Sequence, residues 1–192
     1  PERIIEDHPR CIWSLAYLKA SCNVMSASDD SSVRQWNRDG EPVGKSWDGG
    51  GGAVQSIALR LDDTMVVSGS VDGRLRLWNI KEGNMIGDPW EGHDAAVRCL
   101  DWSPDALEIV SGSQDGTIRR WNPDTGLQIA PPIKTSHAWV SAVKYSPQGD
   151  RFISCGNGAI CVWSRDGKLL KEINGHDDRV MSLCWSKDGA HI

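Results

Sequence analysis

The 192-residue sequence has one Phe and two Tyr beside ten Trp, so its aromatic content departs from that of an ordinary mixed core. No stretch approaches the roughly 18 uninterrupted apolar residues of a membrane-spanning helix. The opening segment, Pro1-Glu2-Arg3-Ile4-Ile5-Glu6-Asp7, lacks the charged-then-apolar layout of a signal peptide. Neither a membrane nor a secretory route is expected. Positive charge is in deficit, 21 Lys and Arg against 26 Asp and Glu, for a net charge of −5. A chain-wide field for capturing nucleic acid is therefore absent, and no nucleic-acid partner is expected. Paired cysteine spacing is missing too: Cys11, Cys22, Cys99, Cys155, Cys161 and Cys184 contain no C-x-x-C, and no His/Cys spacing suggests zinc. With no Asn-x-Ser/Thr sequon either, the expectation is reduced thiols in the cytoplasm or nucleus, with no metal and no cofactor.

What the chain has instead is a period. Trp36, Trp78, Trp121 and Trp163 stand 42, 43 and 42 residues apart, each closing a short β-branched or aliphatic run. These runs follow Asp-, Asn- or Gly-containing turns and read as one arm of a hairpin. The matching arms lie upstream, as in Met65–Ser70 and Glu108–Ser113, and before them come Val54–Leu59 and Val97–Trp102. A fourth apolar segment follows each Trp, for example around Met85-Ile86-Gly87 and over Leu169–Ile173. Four short strands per period, with no amphipathic helix, predict an all-β chain of four-stranded antiparallel sheets. Repetition at roughly 40 to 45 residues is the signature of a β-propeller, in which each twisted sheet covers its neighbour's face.

At the level of motifs the sequence resembles the WD-repeat (WD40) β-propellers. The likeness rests on Gly92-His93 and Gly175-His176 before a first strand, and on Ser68-Gly69-Ser70-Val71-Asp72-Gly73 and Ser111-Gly112-Ser113-Gln114-Asp115-Gly116 at the hairpin. A Trp-Asn pair stands where the family usually has Trp-Asp. The whole chain, 1–192, is covered, with repeats ending near 37, 79, 122 and 164 and a partial fifth over 165–192. That is about 4.6 repeats where the family most often closes with seven, so an incomplete ring from a larger protein is expected, beginning on an outer strand at Glu2–Asp7. Self-association through unpaired blade edges is the rival route to closure.

Aligned on Trp, Ser recurs ten positions before it (Ser26, Ser68, Ser111), Asp six before (Asp30, Asp72, Asp115) and His twenty-eight before (His8, His93). The resemblance implies a buried relay in which the indoles of Trp36, Trp78, Trp121 and Trp163 meet Ser, Ser meets His, and His meets Asp. A Ser-His-Asp set invites a hydrolase reading, but catalysis needs one exposed set beside an oxyanion hole. Recurrence in every repeat favours a structural lock, and no enzymatic activity is expected. In the second repeat the His position falls on Gly50, so Ser68 and Asp72 are expected to lose their bridge. In the fourth, Asn157 replaces Asp, His137 lies two residues nearer Trp163, and Ser154 is shifted by one. Gly40–Ser46 resembles a phosphate loop only superficially, with three residues between its glycines rather than four and no helix to follow.

Function is then expected on the rim formed by the loops before first strands and by the hairpin turns. By resemblance the rim positions carry Trp13, Asp29, Gln55, Arg98, Gln114, Trp139, Arg179 and Met181, a set rich in the Trp, Arg and Met that anchor protein interfaces. The expectation is a protein-interaction scaffold; the alternative is a reader of a small polar or anionic ligand through Arg98 and Arg179. Trp47, Trp90, Trp102 and Trp185 are expected to pack between blades.

Overall fold

The computed structural model describes residues 8–192. The expected outer strand at Glu2–Asp7 lies outside the described residues. Among the described residues there is no helix, and sixteen strands form four antiparallel sheets of four. Blade 1 holds β1 (Ile12–Leu18), β2 (Asn23–Ser28), β3 (Ser32–Trp36) and β4 (Trp47–Asp48). Blade 2 holds β5 (Val54–Leu59), β6 (Met65–Ser70), β7 (Leu75–Asn79) and β8 (Asn84–Trp90). Blade 3 holds β9 (Val97–Trp102), β10 (Ile109–Ser113), β11 (Thr117–Trp121) and β12 (Ile133–Lys134). Blade 4 holds β13 (Ala142–Tyr145), β14 (Arg151–Cys155), β15 (Asn157–Ser164) and β16 (Leu169–Arg179). Each sheet keeps chain order, and the first strands β1, β5, β9 and β13 lie side by side in sequence.

The core sits between blades rather than within them. One apolar cluster joins Leu18, Met25 and Trp47 of blade 1 to Val54, Val66 and Trp78 of blade 2. Equivalent clusters join blades 2 and 3, and blades 3 and 4. A two-sided sheet has no other way to remove both faces from water. Trp47, paired opposite Val33 in the outer strand of blade 1, stacks on Trp78 at 5.6 Å and 19°. Trp90 repeats this on Trp121 at 6.0 Å. Such pairs add about 0.5–1.5 kcal/mol to the area that they bury. The third junction has Ile133 in the outer strand, and Phe152 of β14 stacks on Trp163 within the blade. Trp102 donates its indole N–H to the carbonyl of Ala58 in the preceding blade at 3.0 Å.

The expected first strand of a fifth blade does not pair into a sheet: residues 180–192 contain no strand. It is nevertheless tied to blade 4. Val180 N–H donates to Gly156 O at 2.9 Å, and the Trp185 indole donates to Lys144 O at 3.2 Å, repeating the Trp102 contact.

Candidate interaction surface on the rim

Four relays, of three degrees of completeness, hold the loops that carry the rim. In blade 3 the Trp121 indole donates to Ser111 Oγ at 2.8 Å. Ser111 Oγ lies 2.7 Å from His93 Nε2, and His93 Nδ1 lies 2.9 Å from Asp115 Oδ2. Because the indole only donates and the carboxylate only accepts, Ser111 O–H donates to Nε2 and Nδ1–H donates to Asp115. Blade 1 has the same geometry through Trp36, Ser26, His8 and Asp30, with contacts of 2.7, 2.7 and 2.8 Å. Burial opposes ionisation of Asp30, yet hydrogen bonds from Ser32 and His8 overcome it and hold the carboxyl at about 2. Burial lowers the pKa of His93 despite Asp115, so the imidazole stands neutral beside a carboxylate at neutral pH.

In blade 2 the Trp78 indole reaches Ser68 Oγ at 2.9 Å, but no imidazole follows. The carboxylate expected to be stranded is not: Arg76 Nη2 donates to Asp72 Oδ2 at 2.7 Å, with its side chain 6% exposed. The four-glycine loop makes room for this pair. A Cβ on Gly51 would sit 1.7 Å from Asp72 Oδ2 and 2.8 Å from Arg76 Nη2, so only glycine lets the loop backbone come so close. An arginine two positions before Trp also stands at Arg34 and Arg119, four after the turn Asp, and that spacing was the available sequence signal.

Blade 4 departs further. Trp163 donates to Ser154 Oγ at 2.9 Å, and His137 Nε2 lies 3.3 Å from the same hydroxyl. His137 Nδ1 is buried with no partner among the described residues. Asn157 is exposed in β15, opposite Arg179, and does not enter the relay assigned to it from sequence. In each relay the Ser hydroxyl is buried and accepts a hydrogen bond from an indole. Among the described residues no group of His, Cys, Asp and Glu has metal-binding geometry. Gly40–Ser46 runs through a turn and an isolated bridge into β4, without a helix.

The relays pin hairpin turns to the starts of first strands. Asp29 N–H bonds Cys11 O, Val71 N–H bonds Ala53 O, and Gln114 N–H bonds Ala96 O, at 2.9, 3.0 and 3.0 Å. Of the residues expected on the rim, four form one group. Trp13, 48% exposed, places its indole N–H 3.4 Å from Asp29 Oδ1. The Arg98 guanidinium lies 5.9 Å from the Trp13 ring centroid and donates to Gln55 Oε1 at 3.1 Å. Trp13, Gln55 and Arg98 start from β1, β5 and β9, and Asp29 from the turn after β2, so the group spans three blades. A second pair lies on blade 4, where the Arg179 guanidinium covers the Trp139 ring at 4.4 Å. Trp139 is 40% and Met181 60% exposed. Gln114 is half-buried and joins neither group through its side chain.

Repeated four-stranded blades, cross-blade cores and the Ser-His-Asp relay define a β-propeller repeat protein. The WD domain, G-beta repeat model matches residues 1–37, 41–79, 86–122, 130–164 and 167–192, and the chain belongs to this WD40 family. Over 79 residues it is 33% identical to eukaryotic translation initiation factor 3 subunit I of Nematostella vectensis, covering 41% of this chain and 24% of that protein. It is 28% identical, over the same shares, to the subunit I protein of Schizosaccharomyces pombe. The matched stretch thus spans about a quarter of the length of these relatives. WD40 repeats are protein-interaction modules, and no described helix is long and apolar enough to cross a membrane.

Proposed function

We propose that this protein is a non-catalytic scaffold that holds protein partners on the rim bearing Trp13, Asp29, Gln55 and Arg98, with Trp139, Arg179 and Met181 extending the contact. The observation that carries this reading is the exposure of two Trp rings, each with an arginine laid over it, one at the start of β1 and one in the loop before β13, beside turns held by buried hydrogen bonds. Large aromatic area on a rigid support is what an interface anchor requires. The relatives are subunits by name, and a role as an assembly component is what we carry over to this chain. An intracellular setting fits its six free cysteines. Arg98 and Arg179 lie over separate rings rather than converging on one enclosed ligand, which favours the scaffold over the small-ligand reader.

The test is affinity capture by the purified chain and by its Trp13→Ala/Trp139→Ala variant, with urea unfolding of both. The expected result is loss of captured proteins with a near-native unfolding midpoint. An unchanged set of captured proteins would remove the rim from the interface.

A further inference from the structure

The arginines divide into two kinds. Arg74, Arg76, Arg120 and Arg165 each close on a carboxylate at 2.6–2.8 Å. Arg98 and Arg179 are positioned instead by an indole face, with Gln55 as the neutral hydrogen-bond partner of Arg98. Neither has a carboxylate within ion-pair reach among the described residues. Of the nearby acids, Asp29 faces the Trp13 indole and Arg10, Asp178 accepts the backbone N–H of Arg179 at 2.6 Å, and Asp177 lines the same shallow pocket as Arg179. A guanidinium stacked on an aromatic ring keeps in-plane N–H donors free while losing little side-chain freedom on binding. On a chain of net charge −5, the rim therefore holds two guanidinium groups positioned by aromatic rings rather than by a carboxylate, each beside a large apolar surface.

From this charge pattern we propose that the occupant of the rim is an acidic, extended segment of a partner protein. Its carboxylates pair with Arg98 and Arg179, and its intervening apolar side chains pack on Trp13 and Trp139. The inference rests on the scaffold reading and adds the chemistry of the partner. Carboxylates suit the guanidinium fork, and apolar residues suit the exposed indoles.

Selection of displayed random peptides against the intact chain tests it, followed by fluorescence anisotropy of the recovered peptides. Recovered peptides are expected to be enriched in Asp and Glu and to lose about tenfold or more in affinity with Arg98→Gln/Arg179→Gln. Binding should weaken as salt is raised. Peptides without acidic enrichment that lose binding to Trp13→Ala/Trp139→Ala would overturn the acidic partner and leave the rim as the interface. Acidic peptides that bind all variants equally would overturn both. Recovery of no binding peptide would overturn the extended-segment partner. Unfolding midpoints of the variants, measured alongside, separate lost contacts from lost fold.

Discussion

Arg120 and Glu108 meet at 2.8 Å inside blade 3, and Arg165 of blade 4 closes on the other oxygen of the same carboxylate, also at 2.8 Å. Tyr145 of blade 4 donates its hydroxyl to Glu108 at 3.3 Å, and Arg165 reaches on to Asp105 at 2.6 Å. One buried carboxylate thus joins two blades through charges. Replacing Glu108 with Ala leaves Arg120 buried and unpaired, and is expected to cost about 3 kcal/mol in urea unfolding. A loss below a third of that would mean that water replaces the carboxylate.

The relay acids give a paired comparison. Asp115→Ala removes the acceptor of His93 Nδ1 and is expected to cost about 1–3 kcal/mol. Asn157→Ala, at the same repeat position, touches no relay atom and is expected to stay within about 0.5 kcal/mol of the parent. Equal losses would show that the repeat position, rather than the hydrogen bond, governs stability.

Ser31 has φ 69°, whereas the equivalent turn position carries Gly73 in blade 2 and Gly116 in blade 3, both at positive φ. A side chain in the left-handed region is strained by roughly 1–2 kcal/mol. Glycine's greater freedom in the unfolded chain offsets part of the relief. Ser31→Gly is therefore expected to stabilise the protein by about 0.5–1 kcal/mol, read as a higher unfolding midpoint. A lower midpoint would show that the Ser31 side chain makes a compensating contact.

Acid should weaken the fold through two histidines. Burial lowers the pKa of His93 and His137, so the unfolded chain takes up protons at a pH where the folded chain does not. Their stabilising contribution is complete above the ordinary histidine value of about 6.5 and declines as pH falls below it. The urea midpoint is expected to drop between about pH 7.5 and 5.5, with a shallower drop in His93→Asn/His137→Asn. The same slope in parent and variant would assign the acid sensitivity to other groups.

The hairpins were legible because local chemistry marks both ends: Val54–Leu59, Met65–Ser70 and Val97–Trp102 are strands at the limits read from sequence. The outer strands were less so. β4 and β12 are two residues long and exist only because they pair with a neighbour, so no local periodicity announces them. The indole-to-hydroxyl contacts followed the repeat spacing, since spacing along a regular strand fixes position in space. Arg76 takes the place of the missing His at Asp72, and the arginine standing two positions before Trp36, Trp78 and Trp121 was its signal in the sequence. The approach of Arg165 to Glu108 links residues 57 apart that no motif connects. The Arg98 contact with Trp13 crosses from β9 to β1 and became visible only once the first strands were set side by side.

The indoles of Trp47 and Trp78 belong to different blades yet lie face to face, as do those of Trp90 and Trp121. Two chromophores so close and so oriented share their excited states, and these two junctions, between blades 1 and 2 and between blades 2 and 3, therefore each carry an optical label. An exciton couplet in circular dichroism should vanish when neighbouring sheets part, even while the hydrogen-bonded ladders within each sheet persist. Slippage between modules can in this way be followed separately from melting of the strands.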